Sequence, residues 1–162
     1  MSKAVLVSIR PKWCEKIISG EKTIEVRKTR PKLIPQFKCY IYRSVQGGVI
    51  GEFVCYKIFE KIVRVGGSCE PPKYCICDWN MDCTPLDTLL ADACLTKDEL
   101  EKYLDGGVGY GWHISNLKIY DHPRDLWEFA GLQREKEFGL EPRPITRPPQ
   151  SWRYVEEELW ND

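Results

Sequence analysis

The sequence predicts an α+β fold, a small β-barrel flanked by short helices, on three observations. Helical spacing gives way to alternation just after Gly20, and apolar runs between residues 24 and 59 read as successive strands of a barrel wall. A second helical stretch lies between Thr96 and the Gly106-Gly107 pair. With 162 residues the chain is long enough for one core and one domain.

The first strand is announced by Ala4-Val5-Leu6-Val7. Pro11 suits the first turn of a helix, Trp13, Ile17 and Ile18 recur at the spacing of a buried helical face, and Gly20 is a stop signal, so the helix runs from Pro11 to Ser19. From Lys22 to Arg27 the period becomes two, which points Ile24 and Val26 to the core and sets Thr23, Glu25 and Arg27 on the other face. Pro31 and Pro35 mark a loop over the barrel rim. Lys38 to Arg43 and Val49 to Phe59 read as strands joined by a turn at Gly47-Gly48. Tyr40 and Tyr42 share a face with Lys38 and read as wall residues ahead of base-stacking platforms, and Glu52 is a further candidate for the cleft.

Pro85 to Cys94 reads as a short helix, and Thr96 with Glu99 forms a capping box that opens a second one ending at Leu104. Gly109 to Tyr120 alternates as a returning strand with Tyr110, Trp112 and Ile114 on one face. Asp121 to Phe129 reads as a loop and short helix, Arg134 to Leu140 is polar, and Pro142 to Pro149 is an extended link before a terminal strand at Trp152 to Val155.

The functional signal is Gly20-x-Lys22-x-x-Glu25-x-Arg27. Taken alone, a carboxylate and a guanidinium two residues apart on a strand read first as a surface ion pair of small energetic weight. The arginine fork nevertheless suits a phosphate or a base edge. Together with the preceding helix, this motif resembles the signature of the ASCH domain, a family related to the PUA domains of RNA-modifying proteins. The resemblance is firm through the strand ending at Phe59 and continues through Gly109 to Ile114 and Arg147 to Trp152. It implies a single PUA-like domain over residues 1–162, in the longer branch of the family, with 66–107 as a cysteine-containing, helical insertion. The motif would line a cleft between barrel and helix that receives RNA or a nucleotide-like ligand.

Some small proteins of that family are amidohydrolases acting on acetylated cytidine, and they use the motif lysine with a threonine two residues before the motif arginine. Here that position is Glu25, and a carboxylate does not simply replace a hydroxyl that forms an ester intermediate. The resemblance therefore implies binding ahead of hydrolysis. In the binding reading Lys22 and Arg27 contact phosphate, Glu25 orients the arginine or accepts from a base, and Arg10 and Lys12 extend the patch. In the alternative, Lys22 and Glu25 serve as base and acid in a hydrolase on a modified nucleoside, of the N4-acetylcytidine amidohydrolase type, or in a ribonuclease.

Charge supports a polyanionic partner despite a balance of 24 basic against 24 acidic residues. Residues 1–64 hold 14 Lys and Arg against 5 Asp and Glu, while residues 65–162 hold 10 against 19. A basic patch beside a cleft attracts a polyanion even when the whole protein is neutral. The acidic second half is expected to face away from it, or to dock a protein partner.

No stretch reads as a signal peptide or a membrane span, so a cytoplasmic setting is expected. Cys69, Cys75, Cys77 and Cys83 fall close together, but their spacing lacks the paired Cys-x-x-Cys steps of a zinc knuckle. Reduced cysteines in an ordered loop, with neither metal nor cofactor, are the expectation.

Overall fold

The computed structural model describes residues 2–65, 73–77, 83–84, 86–135 and 139–158. Its centre is β1 (Lys3–Ile9), sealed on both faces from Ala4 onward. β1 pairs in parallel with β3 (Phe37–Arg43) and antiparallel with β10 (Trp152–Glu156), so both chain ends meet in the middle of one sheet. β3 turns through Gly47 and Gly48, both at positive φ, into the long β4 (Val49–Val65). β4 in turn pairs with β7 (Gly109–Arg124), whose other edge carries β2 (Ile24–Arg27). β8 (Ala130–Glu135) and β9 (Gly139–Pro144) form a hairpin beyond β10.

Among the described residues the strand path runs β2-β7-β4-β3-β1-β10-β8-β9 and does not close, so the expected barrel is an open, ten-stranded sheet. β2 and β9 stand at opposite ends of that path with no pairing between them. Two short strands, β5 (Lys73–Cys77) and β6 (Cys83–Thr84), branch off β4 where the sequence suggests a cysteine loop.

Both faces of the sheet are covered. On one side Val5, Val7, Ile9, Cys39, Ile41, Phe53 and Trp112 pack with Cys14 and Ile17 of α1 (Pro11–Ile18). α1 begins at Pro11 and is followed by Gly20 at φ +80, the left-handed geometry that ends a helix cheaply only at glycine. The apolar face is narrower than the spacing suggests, because Ile18 is half exposed. On the other side Leu6, Tyr40, Val49, Ile145 and Val155 pack with Phe129, which follows a 3-10 turn at Leu126–Glu128. Trp112 is wholly buried and contributes on the order of 3 kcal/mol by its burial.

A third cluster joins Ile24 and Val26 of β2 to α2 (Asp87–Ala93) and α3 (Lys97–Leu104) through Leu89, Ala93, Leu100 and Leu104. The capping box at Thr96 and Glu99 is formed in both directions, at 3.1 Å each way. The two acidic helices thus pack on the motif strand through their apolar residues. No helix among the described residues is long and apolar enough to cross a membrane.

Candidate functional site

The motif is held where α1, β2 and α2 meet. After Gly20 the chain is pinned by Lys22 N–H to the Lys16 carbonyl (3.0 Å) and Thr23 N–H to the Asp92 carbonyl (2.8 Å). Strand pairing then sets Glu25 opposite Trp112 and Arg27 opposite Tyr110. Directly opposed residues in an antiparallel pair share a face, so Glu25 and Arg27 lie on the side of the sheet that buries Trp112.

That placement turns the expected surface pair into an interior cluster. Lys22, Glu25 and Arg27 are 3%, 6% and 8% exposed. Glu25 bridges the two cations, with Oε1 2.9 Å from Arg27 Nε and Oε2 3.3 Å from Lys22 Nζ. Arg27 also donates to the Ser8 carbonyl and to Ser151 Oγ (3.3 Å), tying β2 to β1 and to the segment before β10. Lys22 Nζ donates to the Ala93 carbonyl at 2.6 Å and lies 5.2 Å from the ring centre of Trp13. Charges this deep persist only when paired and hydrogen-bonded, and each of these is. The cluster keeps one net positive charge and an acceptor-rich carboxylate at its centre.

Cys14 lies near this cluster. Burial pushes its thiol up to about 12, the Glu25 carboxylate adds to the rise, and Arg43 and Arg27 oppose it. A thiol so raised stays protonated at neutral pH and is a poor nucleophile. Among the described residues Trp112 Nε1 and Arg43 Nε are buried donors with no hydrogen-bond partner, an uncommon state.

Around the cluster stands a rim of exposed cations. Arg10 is exposed, and Lys12, with its side chain 66% exposed, stands 4.5 Å from the Trp13 ring centre and 3.5 Å from Glu99 of α3. Lys28 lies 5.1 Å from the ring centre of Tyr103, also of α3. Burial raises the Tyr103 hydroxyl above its ordinary range, Arg27 lowers it and Glu25 raises it, which places this ring within the field of the cluster. A hollow of about 580 Å³ opens beside the rim, framed by residues 28–35 and by Tyr110.

Of the residues singled out from sequence, Lys22, Glu25 and Arg27 come together, and Arg10 and Lys12 lie on α1 and its N-cap. Glu52 does not join them. It pairs opposite Tyr40, on the other face, where it accepts from Tyr120 Oη at 2.6 Å and meets Lys38 Nζ at 3.4 Å. Tyr40 is wall, packed 5.0 Å from Phe129. Ser8, Ser151, Tyr103 and the Ala93 carbonyl have no sequence signal of their own, although Ser151 falls in the Arg147 to Trp152 run.

Cys69 lies outside the described residues. Cys75 and Cys77 bring their sulfurs to 3.3 Å, and the backbone of Cys83 pairs opposite Cys77. No group of three His, Cys, Asp or Glu among the described residues is arranged to hold a metal ion.

The architecture is a mixed α+β sheet with its motif strand at one edge. More narrowly, its solved neighbours are ASCH proteins. ASCH from Zymomonas mobilis matches with a TM-score of 0.62 at 18% identity, over 95% of this chain and 88% of that one. A tyrosine-to-phenylalanine variant of the same protein matches with a TM-score of 0.60 at 19% identity, over 96% and 92%. A serine-to-alanine variant gives 0.60 at 18%, over 95% and 89%. The chain therefore has the ASCH fold along nearly its whole length. No family model matches the sequence, and no curated protein does.

Proposed function

We propose that this is an ASCH-domain protein that binds nucleic acid, RNA above other polyanions, at the junction of α1, β2, α2 and α3. The observation that carries the reading is the buried Lys22–Glu25–Arg27 cluster beneath a rim of exposed cations and rings. A carboxylate held between two cations is a fixed acceptor for the amino or imino edge of a base. Trp13 and Tyr103 offer faces for stacking, and Arg10 and Lys12 offer phosphate contacts. Arg27 orients Glu25 in this scheme, because its fork is already turned to Glu25, Ser8 and Ser151.

The test is binding of a labelled single-stranded RNA at low salt by wild type and by the double variant Arg10→Ala with Lys12→Ala. Both side chains are exposed, so the fold survives, and affinity is expected to fall by about tenfold because two phosphates go unanswered. Equal binding by the two proteins would sink the proposal.

One observation favours a second reading. Lys22 Nζ lies 3.3 Å from Glu25 in a buried site, an arrangement in which a lysine and a carboxylate exchange roles as acid and base in a hydrolase. Release of acetate from N4-acetylcytidine by wild type, abolished in Lys22→Ala, would establish it.

A further inference from the structure

The hollow framed by residues 28–35 is not used by the base-recognition scheme above. We propose that it holds the sugar-phosphate backbone of a single-stranded RNA whose neighbouring base sits at the motif, so that this protein takes a strand and not a free nucleoside. The inference rests on the nucleic-acid reading of the Lys22–Glu25–Arg27 cluster.

Three features of the hollow carry it. First, among the described residues that line it the charged ones are of one sign, Lys28, Arg30 and Lys32. Among the described residues neither Lys28 nor Lys32 is in an ion pair, unlike Lys22 and Arg27, whose charges are answered by Glu25. The exposed pair therefore adds to the basic surface able to displace counterions from phosphates.

Second, the frame is built in advance. Trp152 Nε1 donates to Thr29 Oγ1 at 2.9 Å, and the Lys32 N–H donates to Tyr154 Oη at 2.8 Å, so β10 holds the loop at two points. The Gln36 N–H closes its far end on the Cys55 carbonyl at 2.7 Å, Pro31 is buried, and Leu33 packs on the main core. A loop fixed in this way presents its lysines with little ordering left to pay on binding.

Third, the hollow adjoins the motif strand. Tyr110 lines it and stands opposite Arg27 in the β2–β7 pair, so one ring joins the two sites. At about 580 Å³ the hollow has the volume of a small-ligand site, ample for one nucleotide unit.

The experiment compares three proteins across a salt series: wild type, Lys28→Ala with Lys32→Ala, and the control Lys97→Ala with Lys102→Ala. The control removes the same charge from the exposed face of α3. Anisotropy of a short labelled single-stranded RNA gives the slope of log K against log salt, and calorimetry gives the affinity for cytidine. The loop variant is expected to reduce the slope by about 1.4, roughly 0.7 for each phosphate that its lysines no longer neutralise. Its affinity for cytidine should match wild type, and the control should keep the wild-type slope.

An unchanged slope in the loop variant, an equal reduction in the control, or RNA binding no tighter than cytidine would each overturn the inference. If wild type binds no RNA at low salt, the nucleic-acid reading itself falls and takes this one with it. If wild type binds and the loop variant keeps its slope, only the placement of the backbone is wrong.

Discussion

Glu25 and Arg27, two residues apart on β2, meet at 2.9 Å inside the protein, and the same carboxylate reaches Lys22 at 3.3 Å. One anion therefore answers two buried cations. Glu25→Gln removes that anion and leaves both largely buried cations without their carboxylate. Equilibrium unfolding in urea should show a loss of about 3 kcal/mol, the range found when one partner of a buried ion pair is removed. A loss no larger than that of an exposed pair would mean the cluster is solvated after all.

Arg27→Lys tests the other role of the cluster, which is to join distant segments. The guanidinium reaches Glu25, Ser8 and Ser151 at once, across three elements, and an ammonium has no planar fork to do so. Stability should fall by about 1 to 3 kcal/mol, because hydrogen bonds to a charged group are broken. Amide exchange should rise at Ser8, whose N–H donates to the Ser151 carbonyl at 2.9 Å. Faster exchange confined to β2 would count against the tie.

Elements marked by local chemistry are legible in the sequence alone. Pro11 and Gly20 bracket α1, Thr96 and Glu99 open α3, and Gly47-Gly48 turn β3 into β4, because a cap or a positive φ depends on its own few residues. β8 and β9 are not legible. Pro142 and Pro144 argue against a strand, yet β9 lies at the end of the sheet path, where proline is tolerated. Alternation ends β7 at Tyr120, but the strand runs on to Arg124, past Asn116 at φ 48 and a series of register shifts that break a strict period of two.

The site divides the same way. Period-two spacing puts Glu25 and Arg27 on one face, and they share it. That this face is interior depends on Trp112, α1 and the Ser151 segment, which are remote in sequence, and spacing within one strand carries no record of them. The docking of the acidic helices on β2 is hidden from the sequence for a similar reason. Leu89, Ala93, Leu100 and Leu104 need an apolar partner, and the outward face of β2 supplies Ile24 and Val26.

Gly51 marks a close approach between β4 and β7. A Cβ there would come within 2.4 Å of the Lys118 carbonyl oxygen and 3.1 Å of the Ile119 Cα, both backbone atoms that cannot swing aside. Gly51→Ala should therefore force the two strands apart and cost about 1 to 3 kcal/mol, measured by thermal or urea unfolding. Gly131→Ala makes a useful contrast. Its Cβ would meet only the guanidinium of Arg153, the flexible end of a side chain, and a smaller loss is expected.

His113 gives the fold a pH dependence whose sign follows from its surroundings. It pairs opposite Ile24 and lies 3.4 Å from Tyr56 Oη. Burial lowers its pKa below the ordinary 6.5, Lys57 lowers it further, and Asp92 opposes them. In the unfolded chain the imidazole takes up a proton near 6.5, whereas in the fold it does so only at lower pH. Between those two values the unfolded state binds more protons, so stability rises with pH through the window and is lost as pH falls through it. Above the window His113 is neutral in both states and contributes no slope. Melting temperatures of wild type and His113→Gln, compared from about pH 8 down to about pH 5, should converge in slope at the upper end and separate below 6.5, with wild type falling faster. The variant removes the titrating group and leaves the carboxylates, so their shared contribution cancels in the difference. Parallel curves would show that His113 titrates in the fold as it does in water, and a wild type that gains stability on acidification would show that the fold favours its charged form.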